Sequence, residues 1–248
     1  MVDEKTGDGL ITAVNEKQTS VVHFDFSFLR DERYLNSSKR EEIDKLNLRE
    51  LFKSEAEKAA QDLEIKQPLE IVVEIPSDSG EELNYVIESL GIGARTLPEN
   101  KVLFQLDPAN LYLVESLNKW QRRQIAHELN HVARGIFDQT LLDALVFEGL
   151  ATVYEENWGG EYLETPWGNT LKGERLKEEW QRIQKGLNSP FSNYQDWFYG
   201  ENPDNPTWPG YALGKAIVKA YIGLHPDIPM KELVRKPSRE ILEQSKFA

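Results

Sequence analysis

The 248-residue chain contains no cysteine. Disulfides, thiolate nucleophiles and cysteine-ligated zinc are therefore excluded together. Long hydrophobic runs are also missing. No segment approaches the roughly 18 unbroken apolar residues of a membrane helix, and the most apolar long stretch, 141–154, is interrupted by Asp143 and Glu148. Positive charge is in short supply, with 29 Lys+Arg against 42 Asp+Glu and a net charge of −13. Such a surface repels phosphate backbones and anionic lipid, so neither nucleic acid nor a membrane is an expected partner. The acidic excess itself serves solubility. The opening MVDEKTGDGL has no apolar run behind a basic start. The expectation is a cytoplasmic protein without a secretory signal, the alternative being an exported chain whose leader has been removed.

What is present fits a globular protein, with 40% apolar and 29% charged residues and enough chain for one substantial domain or two small ones, and the pattern of strands and then helices along it predicts an α+β fold. Residues 1–18 are polar and expected to be loose, with one domain over 19–248, divided into a sheet-plus-helix part (19–135) and a helical part (136–248). Alternation and β-branched or aromatic content predict strands at 19–29 (TSVVHFDFSFL), 68–76 (PLEIVVEIP) and 101–108 (KVLFQLDP). Apolar periodicity predicts helices at 37–63, 80–91, 111–134, 140–157, 171–187, 211–223 and 230–245. The stretch 188–210 is dense in Pro, Gly, Asn and aromatics and reads as an irregular connection. GIGAR (91–95) lacks a P-loop lysine and reads as a turn, and Glu155–Glu156 reads as a solvated face or as helix-terminus charge.

Histidine is scarce, four in the chain, yet two of them stand four residues apart in QIAHELNHVARG, 124–135. On a helix that spacing puts His127 and His131 on one face, one turn apart. Glu128 lies about 100° around the helix from His127. Its carboxylate can flank an ion held by the two imidazoles without ligating it. This is the HExxH arrangement: two zinc ligands and a general base. Catalytic zinc takes three protein ligands and keeps one position open. Glu148, seventeen residues beyond His131, is the third-ligand candidate, because an ionised carboxylate among Leu145, Val146, Leu150 and Ala151 is costly unless paired or metal-bound. The plain alternatives are a Glu at a helix edge or a partner for Arg134.

HELNH followed by a helix carrying EGLA resembles the gluzincin metallopeptidases. The longer pattern HELNHVARG…LLDALVFEGLATVYEE…GYALGKAIV is similar to a bacterial family of predicted zinc-dependent proteases catalogued as a domain of unknown function. The resemblance covers 100–248 well and the first third loosely. It implies a zincin-like fold: a small N-terminal mixed sheet with helices, a mainly helical C-terminal part and a cleft between them. It implies Zn²⁺ on His127, His131 and Glu148, with Glu128 as base, acting on a peptide or protein substrate. It further implies that Tyr211 stabilises the oxyanion, with Tyr221 and His225 as weaker candidates, and that strand 101–108 is the edge on which an extended substrate pairs. Some gluzincins carry an aspartate four residues after the glutamate ligand, where this chain has Thr152; Glu155 and Asp143 are the nearby carboxylates. Three other readings stay open: a metal-binding regulatory or interaction protein without peptidase activity, a metal-free structural role for the histidines, and a non-peptidase hydrolase at the same metal.

Overall fold

The computed structural model describes residues 13–14, 21–77, 90–135, 140–191, 195–199 and 208–247. The chain forms two compact units, Met1–Val132 and Ala133–Ala248. No helix among the described residues is long and apolar enough to cross a membrane.

The first unit is built on one mixed sheet. Strands β1 (Ala13–Val14), β2 (Val21–Asp25), β3 (Leu69–Glu74), β4 (Ile92–Leu97) and β5 (Lys101–Leu106) lie in the order β1-β2-β3-β5-β4. Strands β2, β3 and β5 run parallel; β1 is antiparallel to β2, and β4 to β5. A parallel pair needs a long crossover. Here a 3-10 turn at Ser27–Arg30 and helices α1 (Glu32–Leu35), α2 (Arg40–Lys45) and α3 (Leu48–Asp62) supply it. Helix α3 buries Leu48, Phe52, Ala56, Ala59 and Ala60, one stripe at helical spacing. Phe52 stands edge-on to Phe104 of β5, with ring centroids 4.9 Å apart, and to Phe26 at 5.9 Å. Aromatic pairs in this geometry add to what burial alone contributes. The continuous helix expected over 37–63 is two helices, because Asn47 adopts a left-handed φ of 47° between them. The expected strand 19–29 ends at Asp25 and turns into the 3-10 segment. The helix expected at 80–91 lies almost wholly outside the described residues.

Strand β4 overturns two expectations. The segment 91–95 is a turn only at Gly91; Ile92 begins a six-residue strand. The 101–108 strand is no edge, since β5 hydrogen-bonds on both sides, to β3 and to β4. Its buried run VLFQL is what an interior strand requires. On this side of the sheet the terminal strand among the described residues is β4, whose Arg95 and Thr96 suit a partly exposed rim. Glu99 and Asn100, both at positive φ, close the β4–β5 hairpin. At Gly91 (φ 92°) a Cβ would come within 2.9 Å of Asn110 Cβ, so the turn into β4 needs glycine.

Helix α4 (Leu113–Arg134) follows the sheet. Its first half alternates exposed and buried positions, whereas every residue from 125 to 132 is buried. A helix buried on all sides is an interior helix, and the HExxH stretch occupies that section.

The second unit is helical. Helix α5 (Leu141–Asn157) starts at Thr140, whose Oγ1 accepts from the Asp143 amide at 3.2 Å and donates to Asp143 Oδ2 at 2.7 Å. Asp143 is thereby committed to the helix cap. Helices α6 (Gly173–Ile183), α7 (Pro209–Leu224), α8 (Met230–Leu233) and α9 (Ser238–Ser245) complete the unit. The helix expected over 230–245 is broken at Pro237, whose extended backbone precedes α9. The irregular connection at 188–210 is described in part, with a π-helical turn at Gln195–Tyr199. Helices α5 and α7 meet backbone to backbone. A Cβ on Gly149 would lie 2.2 Å from the Gly214 carbonyl carbon, and one on Gly214 would lie 1.9 Å from Leu145 O. Around this contact pack Leu145, Leu150, Leu213, Ile217 and Val218.

Candidate metal centre

The capped start of α5 and its apolar length fix where Glu148 sits, and the interior section of α4 fixes His127, Glu128 and His131. One ligand atom from each of His127, His131 and Glu148 lies within 4.8 Å of the others, and all three residues are buried. The imidazole rings of His127 and His131 stand nearly perpendicular, at 86°, with centroids 4.7 Å apart. Two imidazole nitrogens and one carboxylate oxygen form a donor set that zinc accepts, and three protein donors leave room in a four-coordinate shell for a reacting group. The residues present therefore fit the ion. Glu148 is only 2% exposed. A carboxylate at such a depth needs a cation or strong hydrogen-bond donors nearby. Arg134 donates to the carbonyls of Val234 and Lys236 and to Ser238 Oγ.

Glu128 is held by a residue the sequence did not single out. Thr96 Oγ1, on edge strand β4, lies 2.7 Å from Glu128 Oε2 and 3.0 Å from Glu128 O. Nothing in IGARTL signals this contact, which depends on the fold bringing β4 against α4.

A model of the family described as Predicted Zn-dependent protease (DUF2268) matches residues 86–243, well over half of the chain. The chain belongs to this family. The DUF2268 match takes in β4, β5, the whole HExxH helix, α5 and α7, so every residue of the candidate centre falls inside it. Comparison with curated proteins and with solved structures gave no match.

The remaining candidates lie in the helical unit. Tyr211 is half-buried in the first turn of α7, its ring edge-on to Phe198 at 5.1 Å. Tyr221 is a core residue whose hydroxyl contacts Gln244 Oε1 at 3.4 Å and whose ring stacks on His225 at 4.4 Å. Its surroundings are those of a packing residue. Thr152 is buried, and its Oγ1 has no hydrogen-bond partner among the described residues.

Glu156 departs from its sequence reading. Far from solvated, it is 1% exposed and pairs with the buried Lys215 Nζ at 2.7 Å. It also accepts from the Thr165 amide and hydroxyl, each at 2.9 Å, and from Tyr162 OH at 3.2 Å. Burial and the adjacent Glu156 carboxylate together push the Tyr162 hydroxyl above its ordinary pKa. Glu155 beside it is buried as well.

Proposed function

We propose that the protein is a zinc-dependent peptidase of the gluzincin kind, in which His127, His131 and Glu148 hold the ion. The observation that carries this reading is the convergence of one donor atom from each of these three buried residues within 4.8 Å. Family membership supports the same chemistry. Bound zinc supplies Lewis acidity toward a substrate carbonyl and toward water.

The chain's own groups do the rest. Glu128, adjacent in sequence to the first histidine and buried, takes a proton from the attacking water and passes it to the departing amine, returning to its ionised form. Its buried surroundings keep bulk water from competing for that proton. Tyr211 donates a hydrogen bond to the oxyanion that develops on the former carbonyl oxygen. His127 and His131 would each offer the ion the lone pair of one ring nitrogen and Glu148 a carboxylate oxygen.

The test is protein purified without a histidine tag, analysed for metal and assayed on a broad peptide library. Glu128→Gln is expected to keep the metal and to lower kcat by about 10²–10⁴, the range of a general base. Unchanged hydrolysis by that variant contradicts the reading, as does a metal content that Glu148→Ala leaves intact.

A further inference from the structure

Glutamate has three rotatable side-chain bonds, and a general base works only when its oxygen is held within hydrogen-bond reach of the proton it takes. Helix α4 fixes the Cα of Glu128 but not the direction of its carboxylate. Among the described residues, the contact that fixes that direction is the one from Thr96. A single hydroxyl reaches both the carboxylate oxygen Oε2 at 2.7 Å and the main-chain carbonyl of the same residue at 3.0 Å. Both acceptors lie within reach of the one hydroxyl proton, as in a three-centre hydrogen bond. The hydroxyl therefore ties both the side chain and the main chain of Glu128 to strand β4. Thr96 itself is anchored by its strand, in register with Val102 of β5, and Ile92, two pleats away on the same face, is buried.

We propose that Thr96 is a positioning residue that aims the Glu128 carboxylate, so that the base is set by the edge strand as well as by its own helix. This rests on the reading of Glu128 as the base. A misplacement of about 1 Å can cost on the order of 10² in rate, which sets the scale expected for losing the hydroxyl.

The test compares wild type with Thr96→Val, which removes the hydroxyl at nearly constant shape, Thr96→Ser, which keeps it, and Glu128→Gln. Thr96→Val is expected to lower kcat by roughly 10- to 100-fold with KM changed less than about twofold and zinc content unchanged. Thr96→Ser is expected to recover activity to within about threefold of wild type. Crystal structures of the metal-free proteins give a second readout independent of turnover: one Glu128 carboxylate position in wild type and Thr96→Ser, several in Thr96→Val. Equal loss in the Val and Ser variants, or a single unchanged Glu128 position in Thr96→Val, overturns the proposal. If Glu128→Gln is fully active, the peptidase reading fails, and the crystallographic comparison still decides whether Thr96 aims the side chain.

Discussion

Helix α5 buries three carboxylates, and two of them, Glu148 and Glu156, eight residues apart, have contrasting neighbours. Glu156 is saturated by a lysine ammonium, a backbone amide and two hydroxyls, all from its own unit. Glu148 instead groups with two imidazoles, one candidate donor atom from each of the three residues lying within 4.8 Å of the others. A buried charge surrounded by fixed donors is structural and expensive to disturb. A buried charge grouped with two imidazoles is, under the proposed function, held for an ion. The comparison teaches that burial alone does not separate function from scaffold; the chemistry of the neighbours does.

The largest expected effect removes both ends at once. Gly149 lies between the two carboxylates at the α5–α7 backbone contact, where any Cβ would sit 2.2 Å from Gly214. Gly149→Val is expected to cost more than about 4 kcal/mol, enough to leave the helical unit unfolded in circular dichroism and proteolysis.

Next is the structural end by itself. Lys215→Met strips the main partner from Glu156 and is expected to cost about 3–5 kcal/mol in denaturant unfolding, because it strands a buried charge. A loss under about 1 kcal/mol would erase the distinction drawn between the two sites.

The functional end should behave in the opposite sense. In metal-free protein, Glu148→Gln removes a buried charge and is expected to change stability by less than about 1 kcal/mol, or to raise it. Zinc at about 100 times its Kd should stabilise wild type by roughly 2.7 kcal/mol and leave the variant where it was. Thermal melts with and without zinc read both quantities.

The smallest effect calibrates the others at an exposed pair. The Arg33 guanidinium, hydrogen-bonded to Asp31, holds that carboxyl below its ordinary value. The folded pKa is depressed, so the contribution is present above the unfolded value of about 3.9 and is lost as pH falls through the folded one. Asp31→Asn should therefore reduce stability slightly above about pH 4, and the gap to wild type should close on further acidification.

Where local pattern and tertiary role agree, the sequence was readable. The HExxH helix and the EGLA helix follow from apolar periodicity and histidine spacing, and their bounds differ from the observed ones by only a residue or two. The candidate ligands were legible because ligand chemistry restricts residue type. Strand β4 was not, since Gly93 and Ala94 carry little β-propensity and its pairing with β5 is what makes it a strand. The α2–α3 break hid behind a continuous apolar period because one left-handed residue, Asn47, is enough to end a helix. Glu156 looked solvated because its partner, Lys215, is 59 residues away. Thr96, 32 residues before Glu128, was invisible for the same reason.

Zinc titration of the metal-free protein, followed by X-ray absorption at the zinc edge, tests the central claim most directly. The account predicts stoichiometric zinc in a shell of nitrogen and oxygen donors with two imidazoles, and loss of tight binding in His131→Ala and Glu148→Ala alike. Zinc uptake that both substitutions leave unchanged, or none in the wild-type chain, would contradict it.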